Sequence, residues 1–196
     1  MTTDHRDDNR MTEKRKPQRL TPANLREAVL NYLDRFVAST KRLDQVMTRK
    51  IRASAAAHGD DPAPLLEALP PILASLAAQG VLNDRHLAEA KARAMIRRGG
   101  SRAKILHNLA GKGIDAATAS AALARMAQEF DNPELEAATA FARRRRLGPF
   151  RPDPASRPEN RQKDLAALAR AGFSGGIARQ VIGAAGGDDL DNPADD

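Results

Sequence analysis

Residues 104–123, KILHNLAGKGIDAATASAAL, and residues 163–182, KDLAALARAGFSGGIARQVI, carry one pattern twice. Lys104, Leu106, Leu109, Gly113, Ile114, Asp115, Ala119 and Leu123 fall on Lys163, Leu165, Leu168, Gly172, Phe173, Ser174, Ala178 and Ile182 at a constant offset of 59 residues. Each copy reads as a helix with an apolar stripe, a glycine stop, an N-cap and a second helix. Asp115 and Ser174 are good caps because their side-chain oxygens accept from the N–H groups that open a helix. Gly113 and Gly172 suit the left-handed position that ends one. A unit this short cannot bury its apolar face alone and must stack on neighbours. The chain is therefore expected to be an array of small helical modules. Such an array suits an extended binding surface better than an enclosed catalytic pocket.

Working outward, residues 1–19 hold few apolar groups and are expected to be disordered. Thr21 and Pro22 read as N-cap and first residue of a helix with a buried stripe of Leu25, Val29, Leu33 and Phe36. Ser39 opens a second helix, with Leu43, Val46 and Met47 inside and Arg49, Lys50 and Arg52 outside. A turn-rich break at 58–64 precedes a short helix from Pro71 to Gln79, stopped by Gly80. These pieces make a first three-helix unit over residues 20–80, in which Leu43 and Val46 stand where Leu106 and Leu109 do.

A second unit over 81–130 opens at Asn83 or Asp84, pauses at Gly99-Gly100, and continues through helices capped by Ser101 and Asp115. A third, over 131–183, opens on Asn132-Pro133 and carries Leu135, Ala138 and Phe141 ahead of Arg143–Arg146. Four prolines between Leu147 and Asn160 predict a long non-helical loop before the last two helices. Residues 184–196 read as a disordered acidic tail. No segment alternates with period two, so the fold class is all-α.

The net charge is +7, from 32 Lys and Arg against 25 Asp and Glu. Five of those acids lie in the last fourteen residues, which hold no base, leaving +12 on residues 1–182. That imbalance points to a polyanionic partner, nucleic acid being the most abundant, with a merely solvated basic surface as the alternative. There is no Cys, hence no disulfide or thiolate chemistry. No apolar run approaches the length needed to span a bilayer, and the first twenty residues lack a secretory core, so a cytoplasmic protein is expected. Aromatic residues are few, which disfavours single-strand binding through stacked bases.

Catalytic signatures are missing. No phosphate loop or dinucleotide fingerprint is present, and the four histidines (5, 58, 86, 107) have no metal-ligand spacing. No enzyme activity, cofactor or metal is expected. Gly111-Lys112-Gly113 resembles a phosphate-loop fragment but falls at a helix end, where carbonyls repel phosphate.

The informative residues are basic. Between positions 91 and 112 stand Lys91, Arg93, Arg97, Arg98, Arg102, Lys104 and Lys112, with no acid among them. Arg93 and Arg97 share a helix face, and Arg98 and Arg102 bracket a glycine turn beside the free N–H groups of the next helix. Guanidinium forks and helix N-termini are what phosphate oxygens bind. Arg143–Arg146 form a second cluster that wraps around its helix, so all four cannot meet one partner. A third spans 39–52, with Lys41, Arg42, Arg49, Lys50 and Arg52 against Asp44 alone.

Residues 81–90, VLNDRHLAEA, followed by Arg97-Arg98-Gly99-Gly100, Arg102, Ile105, Leu109 and Lys112-Gly113-Ile114, resemble the RecX family of bacterial recombination regulators. The third unit is similar too, through Ala142-Arg143-Arg144, Arg161-Gln162-Lys163 and Arg170-Ala171-Gly172-Phe173-Ser174. The resemblance covers about residues 20–183. It departs from the family pattern at Leu87, where Phe is usual, at Lys91, where an aromatic is frequent, and at Gly100-Ser101, where Gly-Pro is common. It implies three tandem three-helix repeats bent into an elongated, curved array. It also implies a monomer that binds the RecA recombinase filament on DNA and inhibits or modulates it. The residues expected at that interface are Lys91, Arg93, Arg97, Arg98, Arg102, Lys104, Arg143, Arg144 and Lys163. The rival expectation is a helical protein that coats nucleic acid by charge alone.

Overall fold

The computed structural model describes residues 17–184, so residues 185–196 of the acidic tail and residues 1–16 of the N-terminal arm lie outside the described residues. Among the described residues the secondary structure is helical throughout. Three helices, α1 (Leu25–Leu33), α2 (Thr40–His58) and α3 (Ala63–Ala78), are followed by α4 (Asp84–Arg97), α5 (Arg102–Gly111) and α6 (Ala116–Glu129), then α7 (Pro133–Arg145), α8 (Arg157–Arg170) and α9 (Gly175–Gly183). Caps read from the sequence form as expected at several starts. Ser39, Asn83, Asp115, Asn132 and Ser174 each accept from the backbone N–H three residues on.

Four boundaries differ from the sequence reading, each for a physical reason. Thr21 does not cap α1; Asn24 Oδ1 accepts from the Thr21 N–H at 2.8 Å, and the helix opens one turn later. As α1 ends at Leu33, Phe36 stands beyond it and is 55% exposed rather than part of the buried stripe. Helix α3 runs straight through Pro70 and Pro71. An interior proline costs about 3 kcal/mol, but Leu65, Leu69, Leu73 and Leu76 are all buried along the same helix. At about 1.5–3 kcal/mol for each side chain, that burial outweighs two missing hydrogen bonds. The proline-rich stretch is not devoid of helix: Gly148–Phe150 and Pro154–Ser156 form 3-10 turns, and α8 starts at Arg157. Pro149, Pro154 and Pro158 each sit at a first or second helical position, where the missing N–H is harmless. Buried Asp164 anchors the segment, accepting from the Gly148 N–H at 2.8 Å and from both arms of Arg151 at 2.7 and 2.8 Å.

Two apolar cores result. Helices α1–α3 enclose Leu25, Val29, Leu43, Met47, Ile51, Leu69 and Leu76. Helices α4–α9 share the other, running from Ala88 and Ala92 through Ile105, Leu109 and Met126 to Phe141, Leu168 and Val181. The second and third three-helix units are therefore not separate beads: α4 packs on both α6 and α7. Small residues at that contact, Ala88 and Ala92 on α4 and Ala137, Ala138 and Ala142 on α7, let the backbones approach closely. Ahead of the first core, Arg19 forks onto Asp60, and the Leu20 N–H donates to Ser54 Oγ at 2.8 Å. Residues 17–20, partly assigned to a disordered arm above, thus lie against α2.

Units join through a repeated device. Ser39 Oγ donates to the Lys112 carbonyl at the end of α5, and Ser101 Oγ donates to the Ala171 carbonyl at the end of α8. In both places a glycine with positive φ follows, Gly113 at +81° and Gly172 at +91°. A Cβ at Gly172 would stand 2.8 Å from Ser101 Oγ, and one at Gly113 would stand 3.1 Å from Ser39 Oγ. The glycine shared by the two sequence copies thus ends a helix and also admits the serine of the preceding unit. Asp84 Oδ1 adds a further tie, accepting from the Thr40 N–H at 2.8 Å at the positive end of α2.

Candidate nucleic-acid interface

The basic cluster sits where the ends of α4 and α7 and the start of α5 meet. Helix α4 ends on Arg97, and Arg98 caps it. Gly99 turns the chain at φ +77°, and Arg102 opens α5 with its side chain exposed. The turn is pinned from α7: Arg144 Nη1 donates to the Arg98 carbonyl at 2.7 Å. Gly99 packs so tightly on α7 that an added Cβ would lie 2.6 Å from the Phe141 backbone nitrogen. The Gly99–Phe141 backbone packing and the Arg144 hydrogen bond thereby place Arg97, Arg98, Arg102 and Arg144 around one junction. Flexible side chains alone would not fix them.

Next to this junction a groove opens between α5, α7 and α8, lined by Lys104, Arg145 and Arg170 around Phe141 and Leu147. No carboxylate lines it. The guanidiniums of Arg144 and Arg145 lie 6.0 and 5.8 Å from the centre of the Phe141 ring, which holds both close to the groove. Three cations from three helices converge on an open concavity, a geometry suited to phosphate oxygens.

Other sequence candidates lie outside this groove. Arg93 pairs in a fork with Glu129 of α6, with Nη2 donating to Oε2 at 2.6 Å. These hydrogen bonds hold the Glu129 carboxyl below the usual carboxylate range and raise the Arg93 guanidinium. The cluster read as lacking acids thus receives one from 36 residues away. Arg143 points elsewhere, 5.1 Å from the Phe150 ring centre, so the four consecutive arginines do split between surroundings. Lys91 is half-buried on α4 and Lys163 is exposed on α8; neither lines the groove. Arg145 and Arg170 were absent from the residues expected at the interface. The helical wheel requires one arginine of the run to face α5 and α8, but it does not say which. Nothing in the repeat singles out Arg170, because its counterpart in the first copy is Gly111.

Among the described residues no cluster of His, Cys, Asp and Glu could hold a metal ion, and no helix is long and apolar enough to cross a membrane.

Comparison with known proteins gives these features a family. Residues 83–123 match the family profile described as RecX, second three-helix domain. The fold is similar to that of RecX from Lactobacillus salivarius, with a TM-score of 0.59 at 23% identity, covering 87% of this chain and 96% of that one. It is also similar to a crystal structure of regulatory protein RecX, with a TM-score of 0.53 at 24% identity over 83% of this chain and 71% of the other. In sequence the chain is 39% identical over 168 residues to the regulatory protein RecX of Myxococcus xanthus (strain DK1622), spanning 86% of this chain and 89% of that protein. Identity at that level over nearly the whole of both chains shows that this protein belongs to the RecX family of regulatory proteins.

Proposed function

We propose that this protein is a cytoplasmic, monomeric regulator that binds the RecA recombinase filament assembled on DNA and inhibits it. In this reading Arg97, Arg98, Arg102 and Arg144 at the α4–α5–α7 junction, with Lys104, Arg145 and Arg170 in the adjoining groove, form the face that meets the filament. The observation that carries the reading is the convergence of three cations from α5, α7 and α8 on a concavity that no carboxylate lines, beside the arginines of the α4–α5 turn, in a RecX chain. Arg93 is a structural residue here, because its guanidinium is engaged by Glu129. Lys91, Arg143 and Lys163 belong to a wider basic surface that attracts the filament at longer range.

Phosphate contacts of this kind carry no base sequence information. Specificity for a filament over bare DNA therefore comes from a long shape made of linked three-helix units, which a groove between protein subunits rewards and naked duplex does not. Co-sedimentation with filaments preformed on DNA, run beside the same DNA without recombinase at about 150 mM salt, separates the two. Preferential pelleting with filaments is expected. Equal pelleting with bare DNA would favour the rival reading, a protein that coats nucleic acid by charge alone.

A further inference from the structure

Six aromatic residues occur in the whole chain, and five of them are spent on packing. Phe141 and Phe173 are buried against each other, Phe130 and Phe150 pack on the larger core, and Tyr32 packs on the smaller one. Phe36 is the exception, 55% exposed beside Val37, which is 84% exposed. It is not isolated. Its ring centre lies 5.0 Å from that of Tyr32, and Lys50 Nζ stands 5.3 Å from the Tyr32 centre. These side chains line a groove between α1 and α2 together with Arg35 and Asn31, and no carboxylate lines it. Arg49 and Arg52, flanking Lys50 on α2, are also exposed.

We propose that this groove is a base-stacking site for single-stranded nucleic acid, with Phe36 as the platform and Lys50 and Arg35 as contacts to the flanking phosphates. An exposed ring beside cations, in a groove that no carboxylate lines, is what an unpaired base and its phosphates require. Tyr32 backs Phe36 and has Lys50 against it, so the free π-face offered to a base is that of Phe36. A duplex keeps its bases stacked inside and cannot use the ring. The site is on the first three-helix unit, away from the α4–α5–α7 junction, and does not rest on the filament reading. It runs against the expectation, drawn from the scarcity of aromatics, that single-strand binding through stacked bases is disfavoured.

The chain has one tyrosine and no tryptophan, so the intrinsic fluorescence of Tyr32 reports on the groove directly. The test titrates the full chain, without recombinase, with an oligothymidylate of about 16 nucleotides. Controls are an abasic sugar-phosphate strand of equal length and a duplex of equal length. The oligothymidylate is expected to quench Tyr32 emission, while the abasic strand and the duplex leave it unchanged. Stacking is worth about 1–3 kcal/mol per base, so Phe36→Ala should weaken oligothymidylate binding roughly 5- to 150-fold. Binding of the abasic strand should stay the same. Phe36→Leu, which keeps apolar volume but not the π-face, should behave like Phe36→Ala. The side chain is exposed, so neither variant should shift the thermal melt. Wild-type oligothymidylate affinity in Phe36→Ala, or equal affinity of the natural and abasic strands, would overturn the proposal. The first result would assign the ring to a protein partner instead.

Discussion

Ser101 Oγ donates a 2.7 Å hydrogen bond to the backbone carbonyl of Ala171, seventy residues further along the chain. Ser39 does the same to Lys112 one unit earlier. Each bond satisfies a carbonyl left without a partner at a helix C-terminus. Each also fixes where one three-helix unit ends relative to the next, and so where their basic side chains stand.

That relationship predicts a thermodynamic coupling. Ser101→Ala should lower stability by about 1 kcal/mol, the net worth of one hydrogen bond. Gly172→Ala should cost about 1–2 kcal/mol for its left-handed backbone, with an added penalty because the new Cβ would meet Ser101 Oγ at 2.8 Å. In the double variant the clash is gone, so urea melting should show a combined loss smaller than the sum by at least about 0.5 kcal/mol. Strict additivity would mean that the two residues do not act on one another.

Gly99 should be the least replaceable glycine. Its φ of +77° resembles that of Gly80 at +75°, yet a Cβ on Gly80 meets nothing within 4 Å, whereas one on Gly99 strikes the Phe141 backbone at 2.6 Å. Gly80→Ala should cost about 1–2 kcal/mol for its left-handed backbone alone. For Gly99→Ala, strain and overpacking together should cost about 2–4 kcal/mol and loosen the α4–α7 contact. Comparing the two melting temperatures checks the ranking.

Asp164 should make the third unit sensitive to acid. Desolvation pushes its carboxyl up, but hydrogen bonds from Arg151 and the Gly148 N–H outweigh this and hold it below the usual carboxylate range. With the folded pKa below the unfolded one, the stabilisation is present above about pH 4 and is lost as pH falls towards the folded value. Asp164→Asn should cost about 2–3 kcal/mol at pH 7, since it leaves Arg151 without its counter-charge in a largely buried site. The gap between variant and wild type should narrow as urea melts are repeated at decreasing pH.

Binding to bare DNA should be weak and governed by salt. Neutralising about four to six phosphates gives a slope of log K against log salt near −4 to −5. Arg93→Ala should change that slope little, because Glu129 already occupies its guanidinium. Arg145→Ala or Arg170→Ala should flatten it by about one. Equal effects from all three variants would contradict the division of roles in the structure.

The residues show which links in this chain are local and which are not. Asn83, Asp115, Asn132 and Ser174 could be read as caps because their partners lie three residues away. Ser101 has the same local signature, yet it makes no side-chain cap; its hydroxyl donates instead to a carbonyl from another unit, a partner that no local reading reveals. Pro70 and Pro71 argue locally for a break, and only the burial of four leucines overrides them. At the candidate site, Arg97, Arg98, Arg102 and Lys104 could be found from a run of bases. The pairing of Arg93 with Glu129 and the meeting of Lys104, Arg145 and Arg170 depend on how helices pack. Phe36 looked like a core residue because its spacing continues a stripe whose helix has already ended.

The most direct test of the central claim reverses two charges at the α4–α5 turn, Arg97→Glu with Arg102→Glu, and measures inhibition of recombinase ATP hydrolysis on DNA. Both side chains are exposed, so circular dichroism melting should change by no more than about 0.5 kcal/mol for each substitution. The account predicts a folded protein that no longer inhibits at concentrations where the wild type does. A folded double variant that inhibits like wild type would contradict it.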